Sequence, residues 1–196
     1  MSQKIIVDQA RMEYELRLGV STAVLAMTAI DDELRAEDFC DADQIVHSRL
    51  SGQLSAATKL EINEDLLICT LLITGPIDNF TELSVYPLGA DEPWRVIEAS
   101  RVNNNELLII SEFDLQFELD EAESLILMGM IAGLSPDQSF KHEVSAPEIL
   151  YSNGTLSENG KTVNWEVPFF DALSGTNKYR FETRVKHSRP WWESSE

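Results

Sequence analysis

Two Asn-Gly pairs, Asn153-Gly154 and Asn159-Gly160, constrain the fold of this chain more than any other feature. Each lies in a short polar run, Ser152-Asn153-Gly154-Thr155 and Glu158-Asn159-Gly160-Lys161, where a reversing backbone needs positive φ. Asn and Gly reach that region most readily, so both pairs read as turns. After the second, Val163, Trp165 and Val167 fall on one face of a strand, and Thr162, Asn164 and Glu166 on the other. Tyr179, Phe181 and Val185 alternate in the same way with Arg180, Glu182, Arg184 and Lys186. Period-two alternation between turns predicts antiparallel strands with one wet face.

Upstream, Met12, Tyr14, Leu16, Leu18 and Val20 alternate with polar residues and predict a strand over 12–20, with a second over 24–30. Asp31 and Asp32 supply an N-cap and first-turn acids for a helix over about 33–50, where Leu34, Phe39, Ile45, Val46 and Leu50 have a loosely helical spacing. A mostly apolar strand over 64–74 is closed by Gly75-Pro76, and 77–83 reads as one or two helical turns. Strands over 94–102 and 106–119 form a hairpin through Asn103-Asn104-Asn105. The segment 124–132 opens after acidic residues and ends at Gly133 ahead of Pro136, as helices start and stop. It is apolar nearly all round, so something must enclose it. The expected fold is therefore α+β: a largely antiparallel, curved sheet with two main helices packed on one face. A single domain over 1–189 is followed by a flexible tail, 190–196.

A chain of 196 residues with 43% hydrophobic side chains can bury a core without metals or disulfides. Cys69, within an apolar run, reads as a small buried residue, and Cys40 has acidic neighbours that make it a poor nucleophile. No CxxC spacing occurs, and a single bridge between the two is left open. The net charge of −19 is uneven: residues 178–196 hold 5 of the 15 basic side chains but only 3 of the 34 acidic ones. An acidic body repels phosphate backbones, which disfavours direct nucleic-acid binding. The first nine residues do not resemble a signal peptide, and no apolar run reaches the length of a membrane-spanning helix.

Catalytic patterns are absent. His47, His142 and His187 lie far apart without metal-ligand spacing, and each reads as a surface or capping histidine. Asp114, Glu118, Asp120, Glu121 and Glu123 lack the glycine and spacing of a calcium loop. Gly133-Leu134-Ser135-Pro136-Asp137 lacks the second glycine of a nucleophile elbow, and neither phosphate-loop pattern occurs. The expectation is a protein that is not an enzyme, with no cofactor and no metal. At the C-terminus, a basic run leads into Pro190-Trp191-Trp192, the composition of a membrane-interface boundary. Arg184, Lys186, Arg189, Trp191 and Trp192 form the membrane-proximal set. The plainer alternative is an exposed strand edge with a tail packed on the domain.

Val144-Ser145-Ala146-Pro147, the first Asn-Gly turn, the run Thr162-Val163-Asn164-Trp165 and the closing basic strand together resemble the LppM-like domain of bacterial envelope lipoproteins, mainly over 106–189. The resemblance implies a non-enzymatic envelope domain whose sheet and helices enclose a lipid-accepting cavity. It also implies membrane anchoring where a signal or anchor has been removed, and a cytoplasmic location otherwise. From the residues themselves, Phe113, Phe117, Leu125, Leu127, Met128, Met130 and Trp165 are the side chains expected to line such a cavity, or to close-pack as ordinary core. The partner is accordingly a lipid or amphiphile. The alternative is an acidic interaction or inhibitor protein that occupies a basic site on a protein partner.

Overall fold

The computed structural model describes residues 1–21, 40–46, 54–63, 66–85, 94–114, 139–168 and 178–187. Twelve strands run through them: β1 (Ser2–Asp8), β2 (Arg11–Ser21), β3 (Ser55–Asn63), β4 (Leu66–Pro76), β5 (Glu82–Val85), β6 (Trp94–Asn103), β7 (Glu106–Asp114), β8 (Ser139–Ser145), β9 (Glu148–Ser152), β10 (Thr155–Leu156), β11 (Thr162–Pro168) and β12 (Lys178–Lys186). Sheet A has the order β10-β11-β8-β1-β2-β4-β3, and sheet B the order β5-β6-β7-β12-β9. Neighbours pair antiparallel except β1 and β8, which run parallel.

This corrects the expected α+β architecture. The described residues contain no helix of seven or more residues, and the layer expected from helices is a second sheet. Alternation had identified strands without saying which sheet each belongs to, because inward faces of two sheets give the same period. Within the region expected as a helix over 33–50, the described helix is a single turn, α1 (Ala42–Ile45). Its neighbours serve the sheets: Ile45 is buried, and Val46 forms an isolated bridge to Val85 of β5. The turns expected over 77–83 resolve into a 3-10 turn (Ile77–Asn79) and the start of β5. The expected helix over 124–132, the strand over 24–30 and the tail 190–196 lie outside the described residues.

One hydrophobic core is shared by both sheets. Sheet A contributes Ile5, Val7, Met12, Tyr14, Leu16, Leu71, Ile73, Val144 and Val163, and sheet B contributes Leu83, Val96, Ile97, Leu107, Ile109, Phe181 and Val185. Burying each such side chain is worth about 1.5–3 kcal/mol, and that burial is what holds the sheets face to face. Strand β1 was not anticipated, although Gln3, Ile5 and Val7 alternate inward along it.

Cys40 and Cys69 form a disulfide, where Cys69 had been read as a plain buried apolar residue. Cys69 is indeed buried, on the inner face of β4, and the bond ties the 40–46 segment to that strand across 29 residues of sequence. Closing a loop of that length is worth about 3–4 kcal/mol in the chain-entropy account.

The two Asn-Gly pairs differ. Gly160 has φ +68 and turns the hairpin between β10 and β11, with its N–H bonded to the Ser157 carbonyl. Gly154 does not have positive φ; it lies where the chain passes from β9 in sheet B to β10 in sheet A. A Cβ there would lie 2.4 Å from the Trp165 ring, so close approach rather than backbone sign demands glycine.

Candidate functional site

Strand register builds a row across the inner face of sheet A. Trp165 on β11 stands opposite His142 on β8, His142 pairs with Gln3 on β1, and Gln3 stands opposite Leu16 on β2. In the adjoining row Val163 faces Val144, and Ile5 faces Tyr14. Gln3, Tyr14 and His142 are each at most 2% exposed, while Trp165 is half-buried. From sheet B, Phe181 lies over the row, with its ring centroid 5.1 Å from His142, 5.3 Å from Trp165 and 6.1 Å from Phe140. Tyr179 extends the cluster at 6.5 Å from Phe181. These are the spacings of favourable ring pairs.

Trp165 is fixed in orientation by the strand switch. Its Nε1–H donates to Asn153 Oδ1 at 3.0 Å, and Gly154 lies against the ring. Asn153 also binds the β12 backbone: its Nδ2 donates to the Arg180 carbonyl at 2.9 Å, and its Oδ1 accepts from the Glu182 N–H at 3.0 Å. One amide side chain thus joins β12 of sheet B to the indole of sheet A.

The interior at this face is buried and carries polar atoms. Burial pushes the Tyr14 hydroxyl well above its usual pKa and lowers His142 from 6.5 to about 3, so the imidazole is neutral at pH 7. Both polar atoms of the Gln3 amide, and the Tyr14 hydroxyl, find no hydrogen-bond partner among the described residues. Leaving such a group unpaired costs about 1–3 kcal/mol. The face offers an aromatic wall with neutral donors and acceptors set into it. Nothing in the row of Trp165, His142, Gln3 and Leu16 is a carboxylate or a cation.

An open groove of about 350 Å³ is lined by Ser2, Lys4, Glu15, Lys141, Glu143, Asn164 and Glu166 together with Gln3, His142 and Trp165 of the row. Its charges are largely matched, Lys4 with Glu143 at 3.0 Å and Lys141 with Glu166 at 3.5 Å.

Of the side chains expected to line an apolar cavity, Trp165 faces inward beside the core as anticipated, though half-buried rather than enclosed. Phe113 lies on β7 in register with Tyr179. Phe117, Leu125, Leu127, Met128 and Met130 lie outside the described residues, as do Arg189, Trp191 and Trp192. Arg184 pairs with Glu106 and Lys186 with Glu148, while Arg180 reaches Glu112 at 2.5 Å. Arg180, Arg184 and Lys186 of β12 are thus answered across the strands by acids of β7 and β9.

His142 and His187, expected as surface or capping histidines, are buried rather than at the surface. The His187 N–H donates to the Asn105 carbonyl at 2.9 Å, and its Nε2 lies 3.4 Å from Arg101, which pairs with Asp78. Sequence reasoning also passed over Gln3, Tyr14, Asn153 and Phe181 as site residues. For Gln3 and His142 the available signal was a polar side chain at an inward position of an alternating strand. Among the described residues there is no cluster of three or more metal-binding side chains, and no helix is long and apolar enough to cross a membrane.

No protein-family model matches the chain, and no curated protein does. The fold is similar to that of the folded domain of the LppM protein of Mycobacterium tuberculosis, determined by NMR. The TM-score is 0.51 and the identity 10%, with 96% of this chain and 90% of that chain covered. At that identity the likeness is one of fold alone: the chain has an LppM-like fold.

Proposed function

We propose that this chain is a non-enzymatic domain of the cell envelope that holds a lipid or other apolar molecule against the aromatic face between its sheets. The observation that carries the reading is the cluster of Phe140, His142, Trp165, Tyr179 and Phe181, in which Trp165 is incompletely covered yet fixed in orientation. A rigid, partly uncovered indole is a preorganised apolar contact, and preorganisation lowers the entropic cost of binding. The LppM-like fold fits such a role, and a disulfide fits an oxidising compartment. Native mass spectrometry and solvent extraction of the full chain, purified without detergent, test the proposal. A retained amphiphile that is lost in Trp165→Ala is expected. A bare mass, with no change in tryptophan emission when lipid vesicles are added, contradicts it.

A second reading, an acidic protein that occupies a basic site on a partner, is favoured by one observation. Arg95, Arg101, Lys141, Arg180, Arg184 and Lys186 are all engaged by acidic side chains, so the excess of negative charge is carried by the remaining carboxylates. A salt-sensitive complex with a basic protein in pull-down is its expected mark, and indifference to salt would remove it.

A further inference from the structure

We infer that the ligand held between the sheets is a neutral amphiphile whose uncharged hydroxyl sits between the Gln3 amide and the Tyr14 phenol. The inference rests on the binding function proposed above and specifies the chemistry of its ligand. Gln3 on β1 stands opposite Leu16 on β2, and Tyr14 is the next inward residue along β2, so the two side chains are diagonal neighbours on one face. Each is at least 98% buried, and neither the amide nor the phenol is hydrogen-bonded among the described residues. An apolar pair of the same size would serve a sealed core better, since unpaired buried polar atoms cost stability.

Their chemistry defines what they would accept. The Gln3 amide presents one acceptor and a two-hydrogen donor, and the Tyr14 hydroxyl can donate or accept. An alcohol fits this set, donating to Gln3 Oε1 while accepting from the Tyr14 O–H. A carboxylate or ammonium would lose its hydration and find no counter-ion in the row of Trp165, His142, Gln3 and Leu16. His142, neutral at pH 7, adds no charge to attract one. The rings of Phe181 and Trp165 flank the same row and supply the apolar contact for an alkyl chain.

The test is calorimetric titration of the lipid-stripped full chain at pH 7.5 with 1-decanol, decanoate and decyltrimethylammonium, which differ in headgroup. Decanol is expected to bind at least about 30-fold more tightly than either ion. Gln3→Met and Tyr14→Phe are each expected to weaken decanol about tenfold, the worth of one hydrogen bond in a dry site. Both variants, stripped of ligand, are expected to melt at or above the temperature of the parent, because each removes an unpaired polar group. A buried water in place of a ligand would reverse this, with lower melting temperatures and undiminished decanol binding, and would overturn the inference. Equal affinity for decanoate and decanol would overturn the headgroup assignment while leaving apolar binding intact. If none of the three binds, the proposed function falls with it.

Discussion

The two lateral halves of the sandwich are built differently. On the side of β2, β4 and β3, Leu16, Leu71, Ile73 and Cys69 are apolar and buried, and the Cys40–Cys69 bond ties the 40–46 segment to β4. On the side of β11, β8 and β1, the inward row holds Trp165, His142 and Gln3, with Phe181 above and Tyr14 of β2 beside it at the boundary between the halves. The first half lowers the free energy of the folded chain by burial and cross-linking. The second gives up part of that stabilisation to keep polar atoms in a buried interior. Proteins retain such a cost where binding uses it, and that contrast is the physical basis for placing the site in the second half.

If the first half is the structural one, breaking it should produce the largest loss. Replacing Cys40 and Cys69 together by alanine is expected to cost about 3–4 kcal/mol in denaturant unfolding, without selective loss of ligand affinity in the protein that remains folded. Trp165→Ala is expected to cost about 2–3 kcal/mol, below the range for a fully enclosed aromatic because the ring is half-buried, and to remove bound ligand as well. Gly154→Ala sharpens the contrast. Its Cβ would strike the indole, and displacement of the ring is expected to cost about 2 kcal/mol together with ligand retention. Gly160→Ala, with open space around it but positive φ, is expected to cost only about 1 kcal/mol and leave binding unchanged. Equal effects of the two glycine substitutions on binding would break the assignment of Trp165 to the site.

A pH titration of stability isolates His142. In the folded chain it takes up a proton only near pH 3, whereas the unfolded chain's histidine does so near its ordinary 6.5. Between those values the unfolded state binds more protons. Stability is therefore full above about pH 6.5 and declines toward pH 3, with a slope approaching about 1.4 kcal/mol per pH unit. His142→Phe, which keeps a ring against Phe181 and Trp165, is expected to show a shallower decline over this window. Glu61, Glu106 and Glu166, held below the usual carboxylate range by hydrogen bonds first from Lys59, Asn103 and Ser139 respectively, contribute to acid sensitivity in both proteins and cancel in the comparison.

Local pattern revealed strands, and long-range pairing stayed hidden. The alternations in β2, β7, β11 and β12 were legible, since burial of one face leaves a period of two in the residues themselves, whereas β6 was expected as a strand but buries the adjacent Val96 and Ile97. Their division into two sheets was not, because it depends on pairings such as the parallel contact of Ile5 with Val144, far apart in the chain. The disulfide joins residues 29 apart with no motif to announce it. Asn153-Gly154 reads like any hairpin turn, yet its glycine answers to a ring 11 residues downstream, a contact that exists only once the sheets have packed. Of the residues in the described row, Trp165 alone was also named from the sequence. Gln3 and His142 were passed over because a lone polar residue on an apolar face is weak as a signal until its burial is known.

The most direct test of a ligand site between the sheets is the pattern of intermolecular nuclear Overhauser effects between protonated 1-decanol and the perdeuterated, amide-protonated full chain. Contacts from decanol to the Gln3 side-chain amide and the Trp165 indole N–H are predicted, strongest for the hydroxyl-bearing carbon at Gln3. Contacts confined to the backbone amides of the exposed apolar residues Leu150, Tyr151 and Leu156, or no contacts at all, would contradict the account.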